Sequence, residues 1–123
     1  MKPLELMQLK IPAGYAITYN KFHDVDPVLS ADSDDFIENW FFFTQDLMQI
    51  EKLKVKKGRP YISDRDNTLL FDLGWYPDSD INGEYFLQLV DGYWNEVKSF
   101  SSKDRFLIKK KLEEWLEEYQ AAN

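Results

Sequence analysis

The local motif best suited to chemistry is Asp78-Ser79-Asp80-Ile81-Asn82-Gly83. Oxygen-bearing side chains at alternate positions, closed by glycine, are what the first half of a calcium loop uses. The pattern breaks at its twelfth position, where a bidentate glutamate is needed and Leu89 stands. Its flanks also read as strands, whereas a calcium loop joins helices. A polar hairpin turn is the better reading, and no metal is expected here.

Other reactive side chains are sparse. His23 is the only imidazole, and it stands near Asp24 and Asp26, the arrangement of a general base oriented by a carboxylate. No serine or cysteine nucleophile is marked by a motif, and a histidine on a surface loop accounts for the residue equally well. Asp64-Arg65-Asp66-Asn67 reads as a turn, because Asp and Asn fold back onto their own backbone amides. Carboxylate pairs of the kind used in glycoside hydrolysis occur in any acidic chain, and none stands out. The five glycines never form a phosphate-cradling loop. With no cysteine and one histidine, a zinc site would need carboxylates for every other ligand. The expectation is therefore a chain that is not an enzyme, with no cofactor.

The segment 72–80, DLGWYPDSD, reads as a binding element instead. Trp75 and Tyr76 stand at a strand end beside Pro77 and several acids. Aromatic anchors ringed by polar groups dominate binding energies at protein interfaces, although two such rings can equally pack on a sheet edge.

Charge order strengthens the binding reading. From Phe22 to Glu51 every charged residue is an acid (Asp24, Asp26, Asp32, Asp34, Asp35, Glu38, Asp46, Glu51). A basic stretch follows: Lys52, Lys54, Lys56, Lys57, Arg59 and Arg65. From Asn67 to Val97 only acids recur: Asp72, Asp78, Asp80, Glu84, Asp91 and Glu96. Such blocks are either solvated faces or electrostatic binding surfaces. The net charge of −7 argues against a nucleic-acid ligand and favours a basic protein partner, or simply serves solubility. The candidate partner-binding set is Asp24, Asp26, Asp34, Asp35, Glu38, Asp72, Trp75, Tyr76, Asp78, Asp80 and Glu84.

The elements that must position these groups are legible from periodicity. With 123 residues, 44% of them apolar, the chain is expected to fold as one domain, 1–123, with no internal repeat or linker. Residues 13–20 alternate as a strand, with Tyr15, Ile17 and Tyr19 on one face. The aromatic run after Phe36 spaces as a helix through Phe36, Trp40, Phe43 and Leu47 with Ser33 as a cap, but its aromatic and β-branched content favours strand from about Trp40, after one helical turn at Asp34–Asn39. A hairpin or loop is expected through Gly58 and Pro60. Further strands are expected at Thr68–Trp75, Glu84–Val90 and Trp94–Phe100, with Asn82-Gly83 turning between the first two. Glu84–Val90 carries apolar groups on both faces, as a central strand does. Ile108, Leu112, Trp115, Leu116 and Tyr119 form one helical stripe, with Ser101 and Asp104 spaced as a capping box. The architecture that follows is α+β: an antiparallel meander of four to five strands covered by a C-terminal amphipathic helix. Trp40, Phe42, Trp75, Tyr76 and Trp94 are left over for a second face, which would need a cover or a partner. No signal-peptide pattern and no membrane-length apolar run is present, so a cytoplasmic location is expected, with no membrane contact.

The series YAITYNKFHDVDP, WFFFTQDLMQIEK, LLFDLGWYPDSDINGEYFLQLV and SFSSKDRFLIKKKLEEWLEEY resembles the small bacterial immunity proteins that accompany polymorphic toxins, including those of contact-dependent growth inhibition. The likeness lies in size, acidity, sheet plus C-terminal helix and lack of cysteine. It implies a stoichiometric inhibitor that binds a cognate toxin domain in the cytosol, for instance a nuclease with a basic cleft. The alternatives are a small hydrolase using acidic loops with a divalent metal, and a general protein-interaction adaptor.

Overall fold

The computed structural model describes residues 4–56, 59–62 and 68–120. Among them the strands are β1 (Tyr15–Asn20), β2 (Met48–Lys56), β3 (Arg59–Ile62), β4 (Leu69–Tyr76), β5 (Glu84–Asp91) and β6 (Glu96–Ser102). A single 3-10 turn occupies Trp40–Phe42, and the helix α1 spans Arg105–Gln120. All pairings are antiparallel, in the order β1-β2-β4-β5-β6, with β3 continuing from β2 as a hairpin arm. This is the α+β meander expected, with β5 central as its two apolar faces demand. The Asp64–Asn67 turn expected from the sequence lies outside the described residues.

One face of the sheet is the core. Directly opposed residues share a face, so the ladders place Met48 and Ile50 of β2 beside Leu73 and Phe71 of β4, which in turn oppose Leu87 and Leu89 of β5. All six are essentially solvent-free. Each large aliphatic side chain so buried contributes about 1.5–3 kcal/mol.

Two covers share this face. Helix α1 lies over β5 and β6 and buries Ile108, Leu112, Trp115 and Leu116, the stripe expected from its periodicity. The Tyr15 hydroxyl donates to the Leu116 carbonyl at 2.6 Å, tying β1 to the helix. The helix cap differs from expectation: Asp104, not Ser101, accepts from the Phe106 N–H at 2.8 Å, and the Ser102 hydroxyl accepts from the Asp104 N–H. Asp104 is the last non-helical residue, where its short carboxylate reaches the first free amides.

The second cover is the long connection between β1 and β2. Phe22, Ile37, Phe43 and Leu47 from this segment are buried, and Phe43 meets Trp75 edge-on and packs at a tilt against Tyr85. Residues 5–7 run alongside it, with the Met7 N–H donating to Phe22 and the Asp24 N–H to Glu5. The expected strand from Trp40 and helical turn at Asp34–Asn39 are both absent here. The aromatic run is a 3-10 turn and an irregular crossing, and β2 begins only at Met48. Successive rings diverge there: Phe43 enters the core while Trp40 and Phe41 stay exposed. Tertiary packing, not strand propensity, fixes this stretch.

The other sheet face has no helix on it. A β-bulge between Ile17 and Tyr19 puts Ile17 opposite Ile50 but Tyr19 opposite Gln49. Tyr19 therefore leaves the face it was expected to share with Tyr15 and Ile17, and joins the open one.

Candidate functional site

The open face is built from strand positions that the register fixes. Gln49 opposes Asp72, Asp72 opposes Gln88, Gly74 opposes Phe86 and Tyr76 opposes Glu84. Leu70 and Val90 are buried on this face near the start of β4, while the rest is half-buried or exposed.

Between Phe43 and Met48 the chain bulges over this face before entering β2. Trp75 donates its N–H to Thr44, and Leu47 donates to Leu73, so Gln45 and Asp46 form a protrusion between two ladder bonds. Gly74 permits it. A Cβ there would sit 2.1 Å from the Gln45 carbonyl oxygen, so any side chain would expel the bulge. The Asp78 carboxylate accepts from the Gln45 N–H at 3.0 Å and anchors it from the far side.

The bulge brings Asp46 to Asp72. Together with Tyr19, Met48 and Gln49 they line a cavity of about 370 Å³. Burial, and then the Asp46 charge, raise the Asp72 carboxyl from its ordinary 3.8 to about 6. The Tyr76 hydroxyl is also raised, first by burial and then by Asp72, Asp46 and Asp78. Among the described residues neither Asp46 nor Asp72 has an ion-pair partner.

The two acid blocks that are separate in sequence meet in space. The Ile81 N–H donates to Asp35 and the Ile37 N–H to Ser79, and Phe36 and Asp80 form an isolated bridge. These bonds lock residues 35–37 onto the β4–β5 turn. Asp35, Asp78, Asp80 and Glu84 thus belong to one acidic end of the molecule, adjoining Asp72 and Tyr76. Asp34 and Glu38 flank it and are exposed.

The remaining candidates separate from this end. Asp24 and Asp26 are both taken by Arg105, at 2.7 Å for the Asp24 carboxylate, and so tie the long connection to the helix start. Trp75 was expected at the surface, but it is 1% exposed. Its indole N–H donates to the Asp80 carbonyl at 2.8 Å, and its ring lies 5.0 Å from Phe43 and 4.9 Å from Tyr85. The ring belongs to the core because Trp75 shares a face with Phe71 and Leu73. Its neighbour Tyr76, on the other face, is 40% exposed.

The calcium-like segment is a turn. Asp80 accepts from the Asn82 N–H, Asp78 holds Gln45 and the Ser79 hydroxyl, and Ser79 is the left-handed residue at φ 59°. Asn82 and Gly83 do turn between the strands, with the Gly83 N–H donating to the Asp80 carbonyl at 2.9 Å, but neither takes a positive φ. Gly83 is required for room, since a Cβ would meet the Trp75 indole nitrogen at 2.6 Å. His23 is held in place: its Nδ1 donates to the Lys21 carbonyl and its ring meets Phe42 edge-on. Among the described residues no group of three or more His, Asp or Glu gathers to hold a metal ion. None of the described helices is long and apolar enough to cross a membrane.

Sequence reasoning missed Asp46, Tyr19 and Gln49. Tyr19 was hidden by the bulge, which has no signature in the alternating run. Asp46 stood in an acid block but gave no sign of folding back over β4; Gly74, in a strand otherwise rich in large side chains, was the available signal. Comparison with family models, with curated proteins and with solved structures returned no match for this chain.

Proposed function

We propose that this chain is an inhibitory binding protein of the immunity type, which captures a basic protein domain on its acidic end in the cytosol and performs no catalysis itself. The observation that carries this reading is the convergence of two acid blocks without countercharge. Asp34, Glu38, Asp46, Asp72 and Glu84 have no ion-pair partner among the described residues, whereas Asp24 and Asp26 do. Like charges gathered and left unneutralised destabilise the free protein, and a cationic partner relieves that repulsion. Exposed Phe36, Trp40 and Tyr76 border the acids and supply apolar contact area. A toxin domain with a basic cleft, such as a nuclease, has the matching chemistry.

The test is capture of the tagged chain from its native host, identification of the bound protein by mass spectrometry, and calorimetry on the purified pair. A single dominant partner with a basic domain is expected. The triple variant D34K/E38K/E84K is chosen because these side chains hold no backbone amide, unlike Asp78 and Asp80. It is expected to weaken binding at least tenfold at low salt and to flatten the salt dependence. Unchanged affinity in that variant, or a set of many weak partners, argues for an adaptor instead.

A further inference from the structure

We propose that the basic partner seats on the open face of the sheet, with one arginine side chain entering the cavity between Tyr19, Gln49, Asp72 and the Asp46 bulge. This rests on the binding reading above and names the surface and the contacting chemistry.

Charge complementarity selects the occupant. Among the described side chains at strand positions on this face, the charged ones are Glu51, Asp72, Glu84 and Glu96, with no lysine or arginine. Two described lysines are engaged elsewhere. Lys98 pairs with Glu118 on the helix side of the sheet, and the Lys21 ammonium lies 4.1 Å from the Phe41 ring centroid. The face is also amphipathic in the way interfaces are: Tyr19, Tyr76 and Phe86 alternate with Gln49, Asp72 and Gln88.

The cavity fits a guanidinium in particular. At about 370 Å³ it admits a whole arginine side chain, and its wall combines an exposed tyrosine ring with carboxylates from two elements. A guanidinium donates in a planar fork to carboxylates while stacking on an aromatic face; an ammonium is a compact, strongly hydrated point charge that does neither as well. The site is also rigid. Gly74 lies against the Gln45 carbonyl, and Asp78 holds the Gln45 amide, so Asp46 is placed before the partner arrives. The raised Asp72 proton affinity agrees, since a half-buried carboxylate beside another one gains most from an incoming cation. The titratable groups facing Asp72 are Asp46 on the bulge, Tyr76 on β4 and Tyr19 on β1, with Glu51 and Asp78 at the margins. Of these groups Asp72 is the one raised to about 6, so binding is expected to weaken as pH falls from 7 to 5.

The experiment uses the full chain and a nine-residue arginine peptide at low salt, followed by amide NMR and calorimetry. The blocked amides of arginine, lysine and citrulline serve as single-side-chain probes. The peptide is expected to bind and to shift the amides of Tyr19, Asp46, Gln49 and Asp72. D72N is expected to weaken it at least fivefold and remove most of the loss between pH 7 and 5, while E117Q, on the exposed side of α1, changes it less than twofold. Arginine amide is expected to shift the cavity resonances more than lysine amide, and citrulline amide not at all. If the peptide binds but shifts only residues 32–38 and 78–84, with D72N unaffected, the sheet-face inference falls and the acidic-end reading stands. If the peptide does not bind at all, both fall. Equal shifts from citrulline overturn the cationic assignment. Because D72N removes an unpaired charge, its loss of binding is separable from unfolding by its melting temperature.

Discussion

At the scale of single residues, Asp72 carries a cost that the folded protein bears without compensation. Its carboxyl binds a proton more tightly when folded, at about 6, than its ordinary value of 3.8. The folded state therefore holds more protons than the unfolded one between about pH 4 and 6, and stability falls as pH rises through that window. Above it the deficit is constant. D72N removes the charge, so at pH 7 it is expected to raise stability by up to about 1 kcal/mol after allowance for solvent screening of a half-buried group, or roughly 3–5 °C. Thermal melts of wild type and D72N from pH 4 to 7 check this; the two curves should converge at the acid end. Gly74 is the opposite case. G74A is expected to destabilise by about 2–4 kcal/mol, because its Cβ would meet rigid backbone at Gln45. Denaturant unfolding at pH 7 measures it, and the Asp46 amide resonance should move with it. W75F is expected to cost about 2 kcal/mol through lost volume and the unpaired Asp80 carbonyl. None of these three roles is written in a motif. Each depends on which face of β4 a residue occupies and on what crosses above it.

At the scale of elements, the strands and helix were legible where periodicity was clean. β4 and β5 fall within a residue or two of their expected positions and α1 buries its expected stripe, though it starts three residues late, because their apolar residues recur every second position or every third and fourth. The β1–β2 connection was not legible. It is irregular, and its buried residues (Phe22, Ile37, Phe43 and Leu47) follow no single period. Its attachment is long-range: Arg105 reaches back to Asp24 and Asp26, a pairing no local pattern announces. That ion pair is partly exposed, so R105A is expected to cost only about 1 kcal/mol of global stability. Locally the effect is larger. Hydrogen exchange at the Met7 and Asp24 amides, which bond across to Phe22 and Glu5, is expected to quicken about tenfold in R105A, with the β4 and β5 amides unchanged. Uniform acceleration throughout the chain would show that the clamp acts on global stability instead.

At the scale of the whole molecule, charge is sorted by surface. The helix carries its own compensation, with Lys109–Glu113 and Lys111–Glu114 pairs along its exposed side. Among the described side chains, the open sheet face and the β4–β5 end carry acids alone. A field of one sign focused on one side steers a basic partner during approach, so association of the proposed complex should slow steeply with ionic strength while dissociation changes little. Stopped-flow measurements between 25 and 300 mM salt separate the two rates. The block structure of the sequence announced this asymmetry; that the blocks would meet depended on the Phe36–Asp80 bridge.

The bonds between the two extremes of the described chain bear on how the protein is made. The Lys10 N–H donates to Glu113, Tyr15 to Leu116, and Gln120 to Ala13. A ribosome delivers residues in order, so the sheet emerges with Phe71, Leu87 and Leu89 facing water until the helix clears the exit tunnel. The earlier β1–β2 connection covers only part of that face. Closure of the core therefore waits for α1, and a nascent chain arrested before Ile108 would present a sticky, half-covered sheet for chaperones to hold.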